Sequence, residues 1–152
     1  MQELKLPAYD YKIKETNGKN LIFDPIRKKY VVLTPEEWVR QHILSLLIDR
    51  LGYARALLKV EGGLTYNSLQ KRSDVLAYDP QGKPYLLIEC KAPEVPISQK
   101  TIHQATTYNL THRAPFVAVS NGLQTYCFHV DFESGKTVQL QTFPEAPSAK
   151  DS

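Results

Sequence analysis

Cysteine is scarce in this sequence, with only Cys90 and Cys127 among 152 residues, each set in a strand-like segment. Two cysteines without a short spacing specify neither a zinc site nor a disulfide framework, so both are expected to be buried thiols of a cytoplasmic protein. Long apolar runs are lacking too. The longest, HILSLLI, is interrupted and falls well short of a membrane span. The opening MQELKLPAYDYKIKE has no apolar core of the kind a secretory signal needs. His103, His112 and His129 share no ligand spacing, and His42 lies among polar neighbours in a helical stretch. A histidine-based metal site or catalytic triad is therefore not expected. Internal repeats and linkers are absent.

What remains is ordinary globular material. Apolar residues make up 42% and charged residues 23%, enough for one domain with a real core. The formal net charge of +3 is compatible with a polyanionic partner. NLIF and KKYVVLT flank DPIR, a turn signal, and predict an N-terminal β-hairpin over about residues 8–33. In TPEEWVRQHILSLLIDRLGY, Thr34 is a natural N-cap and Pro35 suits the first helical position. Glu37 stands where a capping box needs it, and Gly52 supplies the stop. Strands are expected near ALLKVEG, SDVLAY and PYLLIECK, the last two joined by the turn cluster DPQGKP. A second helix from Ser98 covers QKTIHQATTYNLTH, and FVAVS, QTYCFHV and KTVQLQTF follow as strands. The expectation is an α/β fold: a single domain over 1–143 with a mixed sheet flanked by helices, and a mobile tail over 144–152, where apolar surface is too sparse to order the chain.

The stretch YLLIECKAP is the most informative. Alternation along a strand puts Tyr85, Leu87, Glu89 and Lys91 on one face and Leu86, Ile88 and Cys90 on the other. A charge inside an apolar strand is costly unless it is paired or binds a metal. Asp74, on the preceding antiparallel strand, can be brought opposite Glu89 and Lys91. Two carboxylates make a hard oxygen site suited to Mg²⁺. Such a metal acidifies a bound water, and a neighbouring lysine offsets charge developing on phosphorus.

This pattern resembles the D…ExK signature of the PD-(D/E)xK nuclease superfamily, and more closely the N-terminal nuclease domain of type I restriction enzyme R subunits. The resemblance runs from about Thr34 to Val130, through KRSDVLAYDPQGKPYLLIECKAP, HQATTYN and SNGLQTYCF. It implies a restriction-endonuclease-like sheet and Mg²⁺-dependent hydrolysis of DNA, with Mn²⁺ as a substitute metal. Asp74, Glu89 and the backbone carbonyl of Cys90 would hold the metal, Lys91 would be catalytic, and Glu36 or Glu37 would complete the site. Gln104 and Tyr108 match the family's Q-x-x-x-Y element, one helical turn apart on the same face, where they would contact DNA. Lys71 and Arg72 would hold phosphates if they border the cleft. DNA is the implied partner, no membrane is involved, and other restriction subunits and self-association stay open. Ser73 stands where the superfamily's eponymous proline would, and the sequence has no G-x-x-x-x-G-K-[ST], so the ATP-driven motor of a complete R subunit is not expected here.

Plainer readings exist for each residue. An acid two positions before a lysine also occurs on exposed strands as a solvated pair, although the preceding YLLI and the downstream Gln104 and Tyr108 favour a site. Glu37 is accounted for by the capping box and Glu36 by the helix dipole, while a helical wheel aims Glu36 towards the sheet. Glu61 reads as a sheet-edge glutamate. Arg27, Lys28, Lys29, Lys71 and Arg72 read as solvated surface. The alternative to an enzyme is a non-catalytic module that keeps the nuclease fold to bind nucleic acid or a partner protein.

Overall fold

The computed structural model describes residues 1–61 and 74–148. Among these, β1 (Ile13–Thr16), β2 (Lys19–Asp24) and β3 (Lys29–Val32) are followed by α1 (Pro35–Ser45). Then come β4 (Leu58–Val60), β5 (Asp74–Tyr78) and β6 (Pro84–Cys90). The chain closes with α2 (Gln99–His112), β7 (Phe116–Ser120), β8 (Thr125–Val130) and β9 (Thr137–Leu140). The first three strands make one sheet, and β4 to β9 make a second in sequence order. Every neighbouring pair in the second sheet is antiparallel except β6 and β7, which α2 connects as a crossover. This is the expected restriction-endonuclease-like mixed sheet between helices.

Local chemistry explains the boundaries. The Thr34 side chain accepts the Glu37 amide at 3.0 Å and Pro35 opens α1. Val39, Ile43 and Leu47, four residues apart, are fully buried. Beyond Ser45 the helix loosens into a π-helical stretch, Leu46–Arg50, and Gly52 turns the chain with φ +74°. In DPQGKP the Asp79 carboxylate accepts the amides of Gln81 and Lys83, both at 2.9 Å, closing the β5–β6 hairpin. α2 begins with a full capping box between Ser98 and Thr101, and Asn109 holds the Ala114 backbone where the helix ends.

The large sheet is apolar on both faces. One side presents Val75, Ala77, Leu86, Ile88, Cys90, Ala118 and Cys127 to Val39, Ile43 and Leu44 of α1 and to Leu47 in the π-helical stretch after it. On the other, Leu76 and Leu87 meet Tyr108, and Val117 and Val119 meet Ala105, both from α2. Each such fully buried aliphatic side chain contributes about 1.5–3 kcal/mol. The two cysteines are free and buried, as expected, and burial pushes the Cys127 thiol up to about 12.

Two expectations differ from the structure. The N-terminal hairpin is a three-stranded meander, because Asn17 and Gly18, with φ of 54° and 79°, form a tight turn that adds β1. Strand β1 is exposed at all four positions, so no apolar alternation announces it. The start of the expected mobile tail is seated on the core. Pro144 is buried, its carbonyl accepts the Tyr53 hydroxyl at 2.7 Å, the Glu145 carbonyl accepts the Tyr85 hydroxyl, and Ala146 packs on the core. Tyr53→Phe should therefore cost about 1 kcal/mol in urea denaturation and speed amide exchange selectively around 144–146. Unchanged exchange there would mean the segment is not held by this bond.

Candidate active site

Strand register places the two acids. Asp74 on β5 is the direct partner of Glu89 on β6, and both are buried, at 0% and 3% exposure. The backbone hydrogen bonds define the type of pair. The Asp74 carbonyl accepts the Glu61 amide at 2.8 Å, so the Asp74 peptide groups point away from β6. The Lys91 amide donates to Ser120 at 2.8 Å, so that side of Glu89 turns to β7. Asp74 and Glu89 thus form a non-hydrogen-bonded pair, the closer kind, with Cα atoms about 4.5 Å apart. Carbonyls alternate along a strand, which turns the Cys90 carbonyl to the β5 side. Its thiol goes the other way, into the core beside α1, where burial raises its pKa.

Lys91 completes the group. Its ammonium lies 3.3 Å from the Glu89 carboxylate, and the lysine side chain is 30% exposed. The segment after it is tied down by Asn121, whose amide donates to the Val95 carbonyl at 2.8 Å and whose oxygen accepts the Leu123 and Gln124 amides. Two carboxylates and a carbonyl are hard oxygen donors, so the residues fit Mg²⁺ by donor type. Among the described residues, no group of three or more His, Cys, Asp or Glu side chains is gathered as a metal site.

The helix glutamates have other surroundings. α1 packs on the face opposite Asp74 and Glu89, and the charges of Arg40, Asp74, Glu37 and Glu36 all act on the Cys90 thiol. Glu37 does not spend its carboxylate on a capping box. It binds Arg27 at 2.8 Å, Gln41 at 2.9 Å and the Arg40 guanidinium, while the cap keeps only its Thr34 half. Arg27 also bonds Asp24 at 2.6 Å, so it is part of a buried network rather than solvated surface. Glu36 is half-buried. The sequence signal for this network was the acid at the third helical position, which a capping box explains equally well.

α2 lies on the other face, the side to which Asp74 and Glu89 belong. Tyr108 packs on Leu76 and Leu87, each two residues from one of the paired acids, and its ring meets His112 at 5.3 Å. Gln104 is exposed one turn away. Lys71 and Arg72 lie outside the described residues. Glu61, taken above as a sheet-edge residue, continues the row on the far side of Asp74, with its carboxylate 3.6 Å from the Lys59 ammonium.

Glu37→Ala should lower stability by about 3–5 kcal/mol, because it strands buried guanidinium charge, whereas Glu36→Ala should stay within about 0.5 kcal/mol. Urea denaturation of both variants decides between a structural and a site glutamate. Acid should lower the stability of the chain in two successive pH windows. Burial holds His42 below its ordinary 6.5, against the lifting effect of its bond to the Trp38 carbonyl. The unfolded chain therefore protonates first, and stability present above 6.5 declines below it. Burial alone would raise Asp24, but bonds from Arg27 and Gln41 outweigh it and hold the carboxyl below 3.8. Its contribution is present above 3.8 and is lost as pH falls through the lower folded value. Melting temperature against pH, with His42→Gln lacking the first decline, checks both signs.

Residues 35–144 match the family described as Type I restriction enzyme R protein N terminus. No curated protein and no solved structure matches the chain. The match spans α1, the strand pair bearing Asp74 and Glu89, α2 and the rest of the large sheet. By sequence and by architecture, the chain belongs to the family of type I restriction enzyme R protein N-terminal domains, within the PD-(D/E)xK nuclease fold.

Proposed function

We propose that the chain hydrolyses phosphodiester bonds of DNA, with Mg²⁺ held by Asp74, Glu89 and the Cys90 carbonyl. The observation that supports this is the close cross-strand pairing of Asp74 and Glu89 with Lys91 beside them. A Mg²⁺ bound there supplies charge neutralisation and acidifies a bound water. Lys91, on a partly exposed stem, can leave Glu89 and donate hydrogen bonds to a phosphate oxygen as negative charge builds on it. Gln104 and Tyr108, on the same side of the sheet, would meet the DNA strand next to the reacting phosphate, and Lys71 and Arg72 would hold flanking phosphates.

A second reading is a non-catalytic module that binds nucleic acid or a partner protein. It is favoured by the way the local acids are already committed: Glu89 to Lys91, and Glu37 to Arg27, Arg40 and Gln41. That contact, with no gathered group of three metal-ligating side chains among the described residues, is what supports this reading of the chain by itself.

Cleavage of supercoiled, linear and single-stranded DNA with Mg²⁺, Mn²⁺ or EDTA separates the two. On the first reading cutting is metal-dependent and falls by about 10²-fold or more in Lys91→Ala and Asp74→Ala. Cutting that persists in both variants would sink the assignment of these residues. DNA binding in EDTA without cutting under any metal would select the second reading.

A further inference from the structure

Positive charge is unevenly spread along this chain. Residues 11–33 carry Lys12, Lys14, Lys19, Arg27, Lys28 and Lys29 against Glu15 and Asp24, a net +4 in a chain whose total is +3. These residues form the three-stranded sheet, which lies before the stretch matched by the family.

Register sorts the side chains of that sheet between two faces. Ile13 pairs with Ile22 and Asp24 with Lys29, and the buried Ile22 and Asp24 mark the inner face, where Asp24 reaches Gln41 of α1. The other face carries Lys12, Lys14 and Lys19 with Leu21, Phe23, Tyr30 and Val32. None of its four apolar side chains belongs to a core cluster. Both acids of the region, Glu15 and Asp24, fall on the inner face, so the outer one is basic throughout. Phe23 and Tyr30 are cross-strand partners with ring centroids 5.4 Å apart. The Lys14 ammonium sits 4.2 Å from the Tyr30 centroid, and that of Lys12 lies 5.8 Å from Phe23.

We infer that this outer face is a docking platform for a single strand of nucleic acid. Unpaired bases would stack on Phe23 and Tyr30, and Lys12, Lys14 and Lys19 would meet the phosphates. Flat rings set among lysines on an open sheet suit a ligand that alternates aromatic planes with negative charge. A duplex hides its base planes, and of this face's apolar side chains only Val32 is strongly exposed, too little for the apolar wedge a membrane surface calls for. The inference goes beyond the proposed hydrolysis, since a platform of this kind binds whether or not the Asp74–Glu89 centre cuts.

The test is fluorescence anisotropy with labelled oligo(dT) in EDTA, using the full chain. Lys12→Gln, Lys14→Gln and Lys19→Gln combined should weaken binding and make the log–log salt slope shallower by about 2, three phosphate contacts on a single strand. Phe23→Leu with Tyr30→Leu keeps apolar strand residues but removes the rings, and should lose about tenfold in affinity with the salt slope kept. Thermal unfolding by circular dichroism verifies that each variant is folded. Because the assay runs in EDTA, where the Asp74–Glu89 centre has no metal, failure of the platform is read apart from failure of the hydrolytic centre. Wild-type affinity and slope in the folded lysine variant would overturn the proposal. So would wild-type affinity in the folded leucine variant, or tighter binding to anionic phospholipid vesicles than to oligo(dT).

Discussion

Two guanidinium groups and two carboxylates meet in the interior between the β2–β3 turn and α1. Arg27 bridges Asp24 and Glu37, Arg40 closes on Glu37, and Gln41 donates to both acids. Charges this deep are tolerated only because each is matched and hydrogen-bonded. The network holds the small sheet against the helix, and the same helix presents Val39, Ile43 and Leu44 to the large sheet. The orientation of α1, and with it one whole face of the domain, therefore depends on a set of ion pairs that no hydrophobic pattern could supply.

The candidate centre uses the same chemical groups differently. In the clamp, carboxylates face guanidiniums, whose planar forks lock the geometry. At the ends of β5 and β6, the cation beside Glu89 is a lysine on a partly exposed stem, which can exchange partners at little cost. Close approach of Asp74 and Glu89 follows from the ladder itself, since antiparallel strands bring non-hydrogen-bonded partners nearest. A rigid sheet thus sets the acids, while the Lys91 ammonium reaches Glu89 from a partly exposed stem.

Much of this was legible in the sequence, for reasons that can be named. Capping chemistry at Thr34 and Ser98, the turn residues of DPQGKP and the period-two alternation of YLLIECK are local codes. Each carries its own physical cause, so the elements they mark stand where expected. β1 carries no such code, because an exposed strand joined by an Asn-Gly turn has no apolar face to reveal it. The seating of Pro144 and Glu145 was equally hidden, since it rests on the hydroxyls of Tyr53 and Tyr85, far away in the chain.

By itself, then, the sequence determined the order of helices and strands, the two-faced core and the candidate trio of Asp74, Glu89 and Lys91. These follow from short-range spacing and from the alternation of a strand. Only the tertiary structure decided where Glu37 and Arg27 belong. Glu37 has the same sequence position whether it caps a helix, binds a metal or enters an ion network, and the choice depends on Arg27, Arg40 and Gln41 arriving from other segments. Register also lies beyond local pattern. The partnership of Asp74 with Glu89, and the sorting of lysines and rings onto one face of the small sheet, exist only once the strands have paired.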